Sequence, residues 1–387
     1  MNKSPRKLLL RDAKIVLANR IIEDGTILIE DDRIAAISEN QTDADAEILS
    51  LDGSTVLPGF IDVHNHGAVG VDVMGASADG LAEVSAYLAT QGVTGWLATL
   101  VPGSDQNYGS VSAAVGQAMN DSRGARVLGI HYEGPFVNTA QCGALHTEYF
   151  KTYSDPKVLD SLPVPENAVC MTTMAPEVEG GVELVRELKR RGWVVSIGHT
   201  RADLQVLDDA CAAGARHMTH FMNAMAPLHH RSPGPIAWGL SRDEVTVDLI
   251  ADGVHIHPFM LQLLMKTKGA NSISLISDAI AAAGKGDGEY QIWGETITVK
   301  NGRTANAAGS IAGSVISMLD AVRLLHSLGV SYVDLATMAS SNPAKLLGVD
   351  KDCGSIEAGK RADLVALDHD DNVKLTLVGG RSVPNPH

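Results

Sequence analysis

Two histidines set two residues apart, His64 and His66, end the run Val-Leu-Pro-Gly-Phe-Ile-Asp-Val-His-Asn-His-Gly at residues 56–67. On an extended strand, residues i and i+2 project from the same face. The apolar run 60–63 leads into them and a glycine follows. A strand of this kind carries two imidazoles to the rim of a sheet or barrel and aims both at one metal. Taken alone, a His-x-His pair is as readily a surface or structural feature. Four more segments bring the same chemistry: His131-Tyr-Glu133, Ser196-Ile-Gly-His199, Thr219-His220 and Ser277-Asp278. Imidazole and carboxylate donors suit zinc or iron(II), and a metal site with an open position suits hydrolysis. A bound metal would activate water at neutral pH, and a carboxylate such as Asp278 would move the proton.

These groups need elements that converge. Apolar strand candidates fall at 59–64, 95–99, 127–133, 168–175, 194–199, 217–223, 246–251 and 272–278. Helix-like stretches separate most of them, at 78–91, 105–120, 182–191, 202–213 and 258–268. Eight alternating units predict an α/β fold of the (β/α)8 TIM-barrel type, with its active site at the C-terminal ends of the strands. The chemical residues lie at the ends of these apolar runs. An inserted hairpin is predicted over 289–300, and closing helices over 315–328 and 333–347. Short strands with turns occupy both ends of the chain, at 14–18, 25–30, 33–38 and 47–52, then 362–368 and 373–378. Both termini are therefore expected to build one small β-sandwich domain, 1–57 with 355–387, beside a barrel of 58–354.

The 387 residues are 45% hydrophobic and 20% charged, which is ordinary globular composition. A formal net charge of −15, the lack of basic runs and finger spacings, and few aromatics argue against nucleic acid. A few focused basic groups can still hold a phosphorylated small molecule. Four scattered cysteines, 142, 170, 211 and 353, read as reduced thiols of a cytoplasmic protein. Lys3, Arg6 and Lys7 precede an apolar stretch, 8–10, too short for a signal peptide. No apolar run is long enough to span a membrane. No Gly-x-x-x-x-Gly-Lys-Ser/Thr loop is present, so side chains and loop amides must hold any phosphate.

The Pro-Gly-Phe-Ile-Asp-x-His-x-His opening and the run Gly-Ser-Ile-Glu-Ala-Gly-Lys-Arg-Ala-Asp-Leu-Val-Ala-Leu-Asp at 354–368 resemble the amidohydrolase superfamily. Within it, six segments are similar, in order, to the N-acetylglucosamine-6-phosphate deacetylases. They are His-Tyr-Glu-Gly-Pro-Phe (131–136), Gly-His-Thr (198–200), Thr-His with Asn-Ala-Met (219–225), Asp-Gly-Val-His (252–255), Ser-Asp-Ala (277–279) and Ala-Gly-Ser (312–314).

The resemblance implies hydrolysis of the acetamide of N-acetylglucosamine 6-phosphate to glucosamine 6-phosphate and acetate, in amino-sugar catabolism. Glu133, His199 and His220 would hold a divalent ion. Some members of the family keep one metal and replace His64 and His66; with both intact here a second ion bridged by Glu133 fits, so one or two ions are implied, with zinc or iron(II) as the candidates. Asp278 would be the general acid/base. Asn223, Ala224, Arg231 and His255, with Asp252 in the same segment as His255, would hold the sugar phosphate and nearby hydroxyls. In the family the Arg and His act across a dimer interface, which implies a homodimer. Ala144, Leu145 and His146 would meet the sugar or the acetyl carbonyl, and Ile311, Ala312 and Gly313 would line the sugar pocket. The segment 141–146 has one residue more than the family's common spacing, so either Leu145 or His146 takes the contacting place. His131 and His217 read as structural.

Other readings are an N-acetylgalactosamine 6-phosphate deacetylase, a dihydroorotase-like ring opener, an N-acyl-amino-acid hydrolase, or a non-catalytic relative. Dihydroorotase-like sites often use a carboxylated lysine on the fourth strand, and 168–177 contains none. A non-catalytic relative would have lost ligands, and here all are kept.

Overall fold

The computed structural model describes residues 6–39, 43, 45–121 and 123–384; Lys3 and the outermost ends of the expected terminal domain lie outside these. Eight parallel strands follow one another in chain order: β1 (Phe60–Asn65), β2 (Val93–Leu100), β3 (Arg126–Glu133), β4 (Val169–Met174), β5 (Val194–Ile197), β6 (His217–Met218), β7 (Thr246–Ile250) and β8 (Ile273–Ile276). Past β8 the chain returns to β1. Asp278 N–H donates to the His64 carbonyl at 2.9 Å, and His66 N–H to the Ala279 carbonyl at 2.7 Å. These bonds close the expected barrel.

Helices cover its outside, and each shows the reason in its sequence. The helix Gly181–Arg190 buries Leu184, Val185 and Leu188 on one face, while Glu183, Arg186 and Arg190 stay outside. The helix Met318–Ser327 starts with a capping box between Ser317 and Asp320.

The barrel interior is layered. Ile61, Val63, Leu97, Leu128, Met171, Ile250 and Ile276 form an apolar tier, packed with Ala344 and Leu347 of the helix Asn342–Leu347. A polar tier comes next. Thr99 Oγ1 accepts from Asn65 N–H at 2.9 Å and faces His131 Nδ1 at 3.3 Å. His131 Nε2 lies 2.8 Å from Thr173 Oγ1, which pairs with Thr219 Oγ1 at 2.7 Å. Burial holds the His131 imidazole well below its ordinary pKa, so it serves as a neutral structural bridge, as expected.

Both termini share a second sheet. Its path runs Arg381–Ser382, Val373–Val378, Leu364–Leu367, Thr55–Pro58, Lys7–Val16, Ile21–Glu30, Arg33–Ser38, with Glu47–Ser50 beside Lys7–Val16. Leu8, Leu10, Ile27, Ile29, Leu364 and Ala366 bury one face, whereas Leu57, Val365 and Leu367 face the barrel core. Alternation along each strand makes this division.

Several boundaries differ from expectation. The apolar stretch 8–10 opens a long strand. Thr55–Pro58, not foreseen, is the joint between the two sheets; four residues ending in Pro, one residue short of β1, carry little signal of their own. The segment expected as strand 217–223 is strand only to Met218, because His220, Met222 and Ala224 have positive φ and turn the chain. The loop that carries Arg231 continues into a helix, Gly234–Ser241, and the hairpin has a third strand, Arg303–Ala305. Ala281, Ala282 and Ala283, after β8, are buried.

Asp363 of the C-terminal motif joins the two parts. Buried at 5% exposure, it accepts from Arg126 Nη2 of β3 at 2.9 Å and from Gly379 N–H at 2.7 Å. The Asp363→Ala variant, which leaves Arg126 without its partner, is expected to lose about 3 kcal/mol in urea unfolding.

Candidate metal centre and pocket

Each chemical side chain arrives from the C-terminal rim of the barrel. His64 lies in β1 and Glu133 ends β3. His199 follows β5, His220 follows β6 and Asp278 follows β8. The last three adopt left-handed backbone, with φ of 47°, 29° and 51°. Gly67, behind His66, has φ 139°, and a Cβ there would collide with the Val71 carbonyl, so the glycine lets the chain fold back at once.

Glu133 is the common partner. Its Oε1 lies 3.0 Å from both His199 Nε2 and His220 Nε2, and 3.6 Å from His64 Nε2; its Oε2 lies 3.3 Å from His66 Nε2. Asp278 Oδ1 lies 3.4 Å from His64 Nε2 and 3.3 Å from His66 Nε2. Two triads therefore share one carboxylate: His64, His66, Glu133 and Glu133, His199, His220.

The donor set fits divalent metal. Like nitrogens crowd together, with His64 Nε2 3.0 Å from His66 Nε2 and His199 Nε2 3.1 Å from His220 Nε2. His199 Nδ1 donates to the Gln141 carbonyl at 2.7 Å, which leaves Nε2 with the lone pair a metal takes. Burial opposes charge on His66, yet hydrogen bonds to Asp278 and Glu133 outweigh it and push its pKa up to about 10. Burial likewise opposes charge on Glu133 and Asp278, and the surrounding imidazoles hold both carboxylates below their usual range. Two buried anions among four imidazoles call for positive charge here, and a divalent ion provides it.

The centre opens into a pocket of about 290 Å³. The amidohydrolase family model matches residues 55–383. The chain belongs to the amidohydrolase family. The N-acetylglucosamine-6-phosphate deacetylase of Bacillus subtilis is 38% identical over 385 residues, 96% of each chain. The N-acetylgalactosamine-6-phosphate deacetylase of Escherichia coli O157:H7 is 35% identical, covering 96% of this chain and 98% of its own length. A mutant Mycobacterium smegmatis N-acetyl-D-glucosamine-6-phosphate deacetylase, solved in complex with N-acetyl-D-glucosamine-6-phosphate, superposes with TM-score 0.87 at 34% identity, over 98% of this chain and 100% of that one.

Of the residues expected at substrate in this amidohydrolase, Ala144, Leu145, Asn223, Ala224, His255, Ile311 and Gly313 line the pocket. His146 does not; it sits 3.4 Å from Glu148, and Leu145 takes the inward place. Asp252 also stands behind the wall, where its Oδ2 accepts from His255 Nδ1 at 2.6 Å and orients that ring. Ala312 is buried behind its neighbours. Arg231 is exposed in its loop, its Nη1 2.8 Å from His230 Nε2. His255 lines the pocket of its own chain, whereas Arg231 does not reach it.

Sequence reading missed Gln141, whose carbonyl orients His199, and Trp293, which lines the pocket against His66. A backbone acceptor leaves no trace in residue type. An indole in a hairpin gives no sign of which way the hairpin folds.

Glu133→Gln is expected to weaken metal binding more than about tenfold at both triads, read by elemental analysis of dialysed protein. His64→Asn is expected to weaken metal binding only at the His64, His66, Glu133 triad, because Glu133, His199 and His220 remain. A second expectation concerns proton and metal in competition. The His66 pKa is raised from 6.5 to about 10, so its contribution to stability is complete below pH 6.5 and lost as pH climbs to about 10. Chelated protein is expected to melt at falling temperature across that window, and added zinc to remove most of the fall, as calorimetry with and without zinc would show.

Proposed function

We propose that this amidohydrolase removes the acetyl group of N-acetylglucosamine 6-phosphate, giving glucosamine 6-phosphate and acetate. The observation that carries the reading is the pairing of two triads on Glu133 with Asp278 beside them, at the floor of a pocket whose walls match the deacetylase segments. Relatives named for this substrate, matched over nearly the whole chain, support it.

An amide needs a strengthened nucleophile and a protonated leaving group. A divalent ion at this centre supplies Lewis-acid activation of water and of the scissile carbonyl. We assign two ions, zinc or iron(II), because both triads are complete. Asp278 accepts the proton of the attacking water and delivers it to the amide nitrogen as the C–N bond breaks, so acetate and the free amine leave. Asp278 Oδ1 lies 3.4 Å from His64 Nε2 and 3.3 Å from His66 Nε2, so it faces the place where those imidazoles would hold an ion, whose positive charge would favour its charged form. His255, aligned by Asp252, joins Asn223 and the Ala224 backbone in taking the phosphate end. Binding there, remote from the carbonyl, orients the reacting amide.

We further assign a homodimer in which Arg231 reaches the partner's phosphate site. Arg231 and Leu228 are exposed in one loop, and Val254, Phe259 and Leu263 around and after His255 are exposed as well, Phe259 at 67%. Four free thiols support a cytoplasmic enzyme, and among the described residues no helix is long and apolar enough to cross a membrane.

Acetate release by metal-reconstituted protein tests the reading. A strong preference in kcat/KM for the 6-phosphate over the unphosphorylated sugar is expected, and equal rates, or none, would sink the assignment. Asp278→Asn is expected to lower kcat by about 10²–10⁴ while metal content stays unchanged.

A further inference from the structure

Trp293 stands in an improbable place. Ile292 and Glu295 are paired across the hairpin, so Trp293 and Gly294 form its two-residue turn. Both have positive φ, 53° and 79°. A turn of this kind favours Asn, Asp or Gly at its first position, and a bulky side chain there is a strained outlier. Strain of this sort persists where the surrounding structure holds it and clusters at functional sites.

What the ring does is visible from its contacts. The indole meets the metal-centre residue His66 edge to face, with centroids 5.1 Å apart, and lines the pocket. The hairpin beneath it is anchored: Ile292, Ile297 and Val299 pack with Ile280, Ala281, Ala282 and Ala312. Its buried Nε1–H has no hydrogen-bond acceptor among the described residues. The indole and the backbone N–H of Trp293 are among the groups that oppose the upward push of burial on the Asp72 carboxyl. Strained backbone, an unpaired buried donor and a large apolar ring beside the reacting centre converge on one residue.

The direction of the substrate completes the argument. The residues assigned to the phosphate end follow β6 and β7, whereas Trp293 lies over His66 at the end of β1. A carbonyl held at Glu133 and Asp278, with its sugar turned toward β6 and β7, turns its acyl group toward the indole. We propose that Trp293 is the wall of the acyl pocket and sets the limit on acyl length, favouring acetyl over longer chains. The inference rests on the deacetylase reading above.

The test compares N-acetyl-, N-propionyl- and N-butyrylglucosamine 6-phosphate as substrates of the parent, Trp293→Gly and Trp293→Phe. A pocket wall that excludes one methylene discriminates by roughly tenfold or more. Trp293→Gly is therefore expected to raise the butyryl-to-acetyl ratio of kcat/KM by about that factor or more, with Trp293→Phe between the two. Gly suits the turn, so the melting temperature and metal content of Trp293→Gly are expected to match or exceed those of the parent. Unchanged ratios in both variants, with all three substrates falling together, would overturn the acyl role. If Trp293→Gly fails to fold, the ratio in Trp293→Phe decides alone. Failure of the parent on the acetyl compound would instead strike at the deacetylase reading.

Discussion

The rest of the structure depends on one buried carboxylate. Glu133 is 4% exposed, and taking its charge out of water costs several kcal/mol unless partners repay it. Four imidazoles within 3.0–3.6 Å do so. The dependence runs both ways. Without the carboxylate, two histidine pairs would face each other at 3.0 and 3.1 Å with only their own repulsion between them. Those imidazoles come from three different strands, so β1, β5 and β6 must all reach the same height as β3. The hydroxyl tier below sets that height. His131, two residues before Glu133 and on the same face of β3, is tied to Thr99 on one side and to Thr173 on the other.

Bringing side chains over the barrel mouth asks more of the backbone than a straight strand can give. His199, His220 and Asp278 all sit where the strand has just ended and φ has turned positive. Each such residue stores about 1–3 kcal/mol of strain. The neighbouring backbone holds them there. His199 O accepts from Asn138 N–H at 3.0 Å, His220 O from Asn223 N–H at 2.9 Å, and Asp278 O from Ser314 N–H at 2.7 Å. The segments around 223 and 314 thus do more than border the pocket; they fix the backbone that presents His220 and Asp278.

This explains what could be read in advance. Alternating apolar runs mark β1 through β8 because buried parallel strands are apolar on both faces, and the chemical residues stand out as the polar groups that end such runs. The fold and the metal centre were therefore legible. The strand end at Met218 was not, since residues 219–223 keep the polar-and-apolar look of a strand while positive φ turns them away. Thr55–Pro58 was hidden for another reason: its pairing with Leu364–Leu367 joins residues some three hundred positions apart, beyond any local pattern. The place of Leu145 rather than His146 depends on one extra residue in a loop, and a loop absorbs an insertion in ways that spacing alone does not determine.

The molecule separates chemistry from recognition along the same line. The metal-binding residues and Asp278 are tied to strands that close on one another, and none can move without disturbing the barrel. Leu145, Arg231, Trp293 and Ile311 stand on loops and a hairpin above that floor. Relatives named for glucosamine and galactosamine substrates match this chain at 38% and 35% identity, so overall similarity does not distinguish the epimers. Above the floor, the rim carries an inward Leu145 and an indole held in a strained turn. These few loop positions are free to change while Glu133 and its four imidazoles stay as they are.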